Sequence, residues 1–71
     1  MENKELIKRL ETEEEELKYK CELLDAFILS NKFREINYTQ QLLLPAQLSA
    51  MKTYLIILGA RLEDLIDSYN D

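Results

Sequence analysis

Apolar residues in the first 29 positions recur at steps of three and four, the spacing that places side chains on one face of an α-helix. They are Leu6, Ile7, Leu10, Leu17, Cys21, Leu24 and Ile28. No Gly or Pro interrupts this stretch, so it predicts one helix over residues 2–29. Four consecutive acidic residues, Glu13 to Glu16, break the apolar stripe and predict one polar turn within the helix.

A polar segment over residues 30–37 predicts a connection, because Ser and Asn favour helix ends and turns. Beyond it, two rows of residues spaced seven apart are apolar or aromatic at every position, which is typical of a coiled-coil seam. These core rows are Leu44, Met51, Leu58 and Leu65, and Leu48, Leu55, Leu62 and Tyr69. Pro45 predicts a short helical turn over residues 38–43, then a kink or restart, and a long helix from Pro45 to residue 69.

Two long helices joined by a short connection predict an all-α antiparallel hairpin that forms a single domain, residues 1–71. The second helix carries further apolar residues beside the core rows, namely Leu43, Ala50, Tyr54, Ile57 and Ile66. One partner helix cannot cover so wide a face, and its exposure would exceed what soluble monomers tolerate. We therefore expect a homo-oligomeric helical bundle, at least a dimer, with the core rows at its centre.

Composition argues against several classes of function. The 71 residues include one Gly and no His, with 14 acidic and 9 basic side chains and a net charge of −5. His is the commonest general base and metal ligand, and phosphate-binding loops need several glycines, so we expect no enzyme, metal or cofactor. The acidic balance disfavours direct DNA or RNA binding, which depends on cations that neutralise phosphates.

The expected location is the cytoplasm. Cys21 has no partner for an internal disulfide, which fits a reducing compartment, and its place on the apolar face predicts a small core residue. The longest purely apolar run, residues 54–60, is far shorter than the roughly 20 residues that a membrane span requires. We therefore expect no membrane interaction.

A second periodicity combines polar and aromatic chemistry along one edge of the second helix. This polar row consists of Gln40, Gln47, Tyr54, Arg61 and Ser68, each seven residues from the next. Amides read base edges, an aromatic ring stacks, and a guanidinium binds phosphate through two hydrogen bonds, so the row could hold a nucleotide. The same residue types also shield the edges of apolar seams, and this structural interpretation stays open.

A second cation–aromatic group lies around the connection. This tip group consists of Lys32, Phe33, Arg34 and Tyr38. Together with Gln47, Tyr54 and Arg61, its members are the candidate contacts for a small anionic ligand. If two copies of the chain pack around a two-fold axis, a polar row that lies near the axis contacts the same row of the other copy. The pocket between them would then contain two Arg and two Tyr side chains, which would suit a ligand with two phosphates.

The stretch from Phe33 to Leu62 resembles a group of very small helical-hairpin proteins encoded by bacteriophages. The residues that carry the resemblance are Phe33-Arg34-Glu35-Ile36, Leu43-Leu44, Gln47-Leu48-x-Ala50-Met51-x-x-Tyr54 and Ile57-Leu58-x-x-Arg61-Leu62. The resemblance implies a phage accessory protein that acts in the cytoplasm of the bacterial host. Several proteins of this build are sponges, which oligomerise and sequester the nucleotide signals of immune systems such as CBASS and Thoeris. It implies Gln47, Tyr54 and Arg61 as ligand contacts.

An alternative function depends on the acidic residues of the first helix. Glu11 and the run from Glu13 to Glu16 could mimic nucleic acid or contact a basic partner. The chain would then be a protein–protein inhibitor or adaptor that acts on a host or phage protein. The same run is also typical of an ordinary solvated helix surface, and a purely structural oligomer without a ligand is a third possibility.

Overall fold

The computed structural model describes residues 2–70, and the side chains of residues 3–68. Helix α1 spans Glu2–Ile28, a 3-10 turn spans Asn31–Glu35, and helix α2 spans Tyr38–Asn70. The two helices pack antiparallel in a rod with extents of 52 × 15 × 14 Å. Within the described residues, the predicted all-α two-helix hairpin is confirmed.

The first turn of α2 is fixed by side-chain hydrogen bonds. The N–H of Gln40 donates to Oδ1 of Asn37 at 2.9 Å, so Asn37 is the N-cap residue. The side-chain amide of Gln41 donates to the carbonyl oxygens of Arg34 and Ile36, at 3.3 and 2.9 Å. These bonds join the beginning of α2 to the connection before it.

Pro45 lies inside α2 and is exposed. The two parts expected on either side of it, residues 38–43 and the stretch from Pro45 onward, are turns of one continuous helix, and no restart occurs. Pro45 has no N–H to donate to the carbonyl of Gln41. The helix continues because the capped first turn precedes the proline and the packed seam with α1 follows it.

The core is a narrow line of side chains between the two helices. Leu58 is 0% exposed, and its buried neighbours Leu10 and Leu62 are each 5% exposed. Partly buried residues that pack against this cluster are Leu6, Ile7, Leu17 and Leu65. Leu48 and Cys21 are also buried, nearer the connection, which confirms the core position expected for Cys21.

The core rows of α2 pack against α1 of the same chain. Leu48, Leu58 and Leu62 are buried, whereas Leu44, Met51, Leu55 and Leu65 are partly buried. The side chain of Tyr69 lies outside the described residues. Residues expected at the centre of an oligomer therefore lie, where described, in the seam of one hairpin, because α1 has an apolar stripe of matching spacing. The apolar face that a second copy could cover is a different one.

That other face of α2 is apolar and exposed. Leu42, Leu43, Ile56 and Ile57 are between 49% and 72% exposed. In length and composition, the stretch Tyr38–Ser68 of α2 would also suit a membrane span, a property that it shares with the core helices of soluble proteins. Nothing within the described part of the single hairpin covers these exposed apolar side chains.

Candidate functional site

Tyr54 is the point at which the polar row meets α1. Its hydroxyl donates a hydrogen bond to Oε2 of Glu13 on α1, while 42% of the residue stays exposed. Arg61, one heptad further along α2, lies near enough for its positive charge to act on the same hydroxyl. The tyrosine is thus held by a carboxylate and lies in the field of a guanidinium.

The pKa of Tyr54 lies above its ordinary value of 10.0. The main cause is the hydrogen bond to Glu13, because ionisation of the phenol would abolish the donor. Desolvation and the negative charge of Glu13 raise the pKa further, and Arg61 opposes them by lowering it. At neutral pH the hydroxyl is therefore protonated and remains a hydrogen-bond donor.

Replacing Glu13 by Gln should lower the pKa of Tyr54, because the charged acceptor of its hydrogen bond is removed. A pH titration followed by NMR on tyrosine labelled at Cζ measures this pKa directly. Because the folded-state pKa is raised, the contact stabilises the fold below the ordinary pKa of 10.0 and loses that effect as the pH rises through the folded pKa. Glu11→Gln is the matched control, since Glu11 is exposed and should leave Tyr54 unchanged. An unaltered Tyr54 titration in Glu13→Gln would contradict the contact.

The contact between Tyr54 and Glu13 sets the register of this edge of the hairpin. In an antiparallel pair, a step of seven residues along α2 corresponds to seven residues in the reverse direction along α1. Gln47 therefore lies at the level of Lys20, about 10 Å from Tyr54 along the helix axis. Gln47 and Arg61 are both exposed, and the amide of Gln47 is 3.8 Å from the sulfur of Met51. The structure thus keeps the three candidate residues on one accessible edge.

The tip group lies apart from this edge. Lys32 and Arg34 are exposed on the 3-10 turn, and Tyr38 is 74% exposed at the beginning of α2. Phe33 is partly buried, with its ring packed edge-on against Phe27 at a centroid distance of 6.1 Å. Phe33 therefore contributes to packing, and the exposed members of the tip group lie roughly 13 Å or more along the axis from Gln47.

The acidic residues between positions 11 and 16 of α1 form two groups that differ in exposure. Glu13 and Glu14 are partly buried toward α2, whereas Glu11, Glu15 and Glu16 are exposed. Glu14 occupies the space beside Gly59, where a β-carbon would lie 3.2 Å from its Oε2 atom. The space that a side chain at position 59 would need is therefore occupied by a carboxylate of α1.

Comparison of the sequence with models of known protein families identifies the family of this chain. A family model with the description Sequestin matches residues 4–64. The chain belongs to the Sequestin family. The match includes Glu13, Gln47, Tyr54 and Arg61, and the family name implies binding and sequestering rather than catalysis. No curated protein and no solved structure matches the chain.

Open grooves run along the Sequestin-family hairpin beside α1. One groove, of about 560 Å³, is lined by Glu5, Lys8, Arg9, Thr12, Glu13 and Glu16. Another, of about 490 Å³, is lined by Glu14, Glu15, Lys18, Leu55, Ile56 and Gly59. Neither groove includes Gln47, Tyr54 or Arg61. Because Gln47, Tyr54 and Arg61 are exposed, a ligand on the polar row of one hairpin would stay open to solvent on its far side.

Sequence reasoning about this Sequestin-family chain missed Glu13 as the partner of Tyr54. The signal was the interruption of the apolar stripe of α1 at Glu13 and Glu14, which lies opposite a tyrosine and a glycine of α2. A polar interruption that faces such residues indicates a local polar contact within a seam. Finding it requires the register between the helices, which periodicity alone does not define.

Proposed function

We propose that this Sequestin-family chain binds a small anionic nucleotide and sequesters it without cleaving it. The observation that carries the proposal is the accessible edge formed by Gln47, Tyr54 and Arg61, with the Tyr54 hydroxyl bonded to Glu13. The family name, which denotes sequestration, supports the same class of function. The finer proposal is a phage sponge, active in the bacterial cytoplasm, for a nucleotide signal of CBASS-type or Thoeris-type immunity.

The chemistry of the edge suits such a ligand. The guanidinium of Arg61 can bind a phosphate through two hydrogen bonds, and the neutral ring of Tyr54 offers a stacking surface for a base. The bond to Glu13 restricts the ring before the ligand arrives, which reduces the entropy lost on binding. Arg61 already acts on the Tyr54 hydroxyl, so both groups are within reach of one small molecule.

Calorimetric titration with a panel of cyclic dinucleotides and cyclic ADP-ribose isomers tests the proposal. We expect at least one compound to bind at sub-millimolar concentration, and Tyr54→Ala and Arg61→Ala each to weaken that binding at least tenfold. Loss of a charged hydrogen bond from Arg61, or of base stacking on Tyr54, has an effect of about this size. Circular dichroism should show unchanged helicity in both variants, because both residues are exposed.

Lys52→Ala is the matched control for Arg61→Ala. Lys52 is an exposed cation on the same helix but lies off the polar row, so its removal changes the net charge equally and should leave binding nearly intact. Equal losses in the two variants would indicate general electrostatic attraction instead of a site. The absence of binding heat with every compound of the panel would overturn the proposal.

The exposed carboxylates Glu11, Glu15 and Glu16 favour a second candidate, an inhibitor or adaptor that binds a basic protein surface. Charge reversal of Glu15 and Glu16 separates the two functions, because it would abolish capture of a protein partner and spare nucleotide binding. A partner released by moderate salt would support this candidate, since exposed charges are screened. Glu14 is unsuited to the test because it is packed beside Gly59.

A further inference from the structure

The exposed face of α2 has a heptad pattern of its own. Its members are separated by alternating steps of three and four residues, and all are exposed. This outer stripe is Leu43, Ala46, Ala50, Thr53, Ile57 and Ala60. Such spacing is typical of a helix that packs along another helix. Residues 42–60 contain a single charged side chain, Lys52, which lies on the other side of the helix from the stripe.

The outer stripe spans about 27 Å of helix, with a width of about 10 Å. Its projected area, on the order of 270 Å², approaches that of the largest apolar patch on a typical soluble monomer, and such patches mark interaction sites. The chain also has only a narrow core between two helices, and small domains of this kind commonly gain stability by association. We propose that the outer stripe packs antiparallel against the outer stripe of a second copy.

Residue sizes along the stripe are complementary in the antiparallel orientation. A two-fold axis between residues 51 and 52 sets Leu43 opposite Ala60 of the partner subunit, and Ala46 opposite Ile57 of the partner subunit. Ala50 then faces Thr53 of the partner subunit. Each large side chain meets a small one, so the helices can approach closely without voids. In a parallel pair, leucine would meet leucine and alanine would meet alanine.

The charges favour the same orientation. The acidic residues of α2, Glu63, Asp64 and Asp67, all lie near its C-terminal end, whereas the connection before its N-terminus carries two cations, Lys32 and Arg34, and one carboxylate, Glu35, for a net charge of +1. Antiparallel packing places the acidic end of one copy beside the basic end of the other. The N-terminus of a helix also favours nearby anions. A parallel pair would instead bring the carboxylates of both copies together.

This packing would bring the two polar rows side by side, because the row borders the outer stripe. Tyr54 then lies within about 3 Å, along the axis, of the level of Gln47 of the partner subunit, and the two Tyr54 residues are separated axially by roughly 8 Å. Arg61 lies at each end of this two-fold groove. In this groove the second copy would cover the side of the polar row that is open to solvent in a single hairpin. The groove would suit a ligand with two bases or two phosphates. Its use for a ligand rests on the proposed function, whereas the packing does not.

Light scattering after size-exclusion chromatography tests the packing without any ligand. We expect the wild-type chain to be a dimer and Ala50→Arg to be a monomer with the same helical circular dichroism. Ala26→Arg is the matched control, because Ala26 is exposed on α1 and away from the stripe. It should remain a dimer. A wild-type chain that stays monomeric up to hundreds of micromolar, or an Ala50→Arg variant that remains dimeric, would overturn the proposal.

Disulfide formation tests the orientation, in a Cys21→Ala background. Leu43→Cys and Ala60→Cys chains should form a mixed disulfide when combined, whereas each alone should not cross-link, because identical positions lie about 26 Å apart along the axis. Self-cross-linking of either variant would overturn the antiparallel arrangement. Flotation of the chain with phosphatidylcholine–phosphatidylglycerol vesicles, without a dimer in solution, would assign the stripe to lipid and overturn the second copy as its occupant.

Nucleotide titration of Ala46→Arg, which should also be a monomer, separates the two proposals, because residue 46 lies farther around the helix from the polar row than Ala50 does. A monomer that binds at least tenfold more weakly supports the shared groove, and the added positive charge cannot explain a loss of anion binding. Unchanged affinity in the monomer would reject the shared groove and leave the proposed function standing. A dimer that binds no compound of the panel would reject the function and leave the packing standing.

Discussion

Leu58→Ala is expected to remove most of the stability of the hairpin. Leu58 is 0% exposed and packs with Leu10 and Leu62 at the centre of the core. A buried Leu→Ala substitution destabilises by about 2–5 kcal/mol, because it loses apolar burial and leaves a cavity. A single core in a chain of this size rarely supplies more than about 3–5 kcal/mol. Urea unfolding followed by circular dichroism should therefore show a largely unfolded variant at 25 °C.

The comparison needs a substitution of the same kind outside the core. Leu29 directly follows α1 and is 80% exposed, so Leu29→Ala should change the free energy of unfolding by no more than about 0.5 kcal/mol. Both variants should be measured at one protein concentration, since association adds to apparent stability. If Leu58→Ala unfolded at the same urea concentration as the wild-type chain, the result would contradict the position of Leu58 at the centre of the hydrophobic core between α1 and α2.

The periodicity of the two long segments was sufficient to predict the hairpin. Steps of three and four in α1 match the core rows of α2, and local capping at Asn37 agrees with that pattern. Periodicity alone could not tell which helix covers the core rows. Leu48 or Leu58 would show the same spacing whether the partner were α1 or a second copy, so only the tertiary contacts decide.

The candidate site was partly predictable from the sequence. The heptad spacing of Gln47, Tyr54 and Arg61 requires that they share one edge of any helix, and the structure keeps all three accessible. The contact of Tyr54 with Glu13 joins residues 41 positions apart, so it depends on helix register. The sequence predicts Phe33 as a ligand contact because an aromatic ring beside cations suits a nucleotide, but in the structure Phe27 at the end of α1 packs against the ring.

Pro45→Ala should stabilise the hairpin, by up to about 3 kcal/mol, which is the preference for alanine over proline within a helix. The new N–H can donate to the carbonyl of Gln41, and the clash of the proline ring with the preceding turn is removed. Pro45 is exposed, so the substitution sacrifices little packing. The urea midpoint of the variant should therefore lie above that of the wild-type chain.

Ser49→Ala is the control for this gain in stability, because Ser49 is exposed one turn further along α2. Its replacement alters only helix propensity, by about 0.5 kcal/mol. Nucleotide affinity should not change in Pro45→Ala, since residues 45 and 47 lie about 160° apart around the helix. An unchanged or lower midpoint would mean that the proline stabilises the first turn through the contacts of Gln41 with Arg34 and Ile36. A gain in stability with unchanged affinity would show that the proline constrains the helix without contributing to the proposed ligand-binding edge.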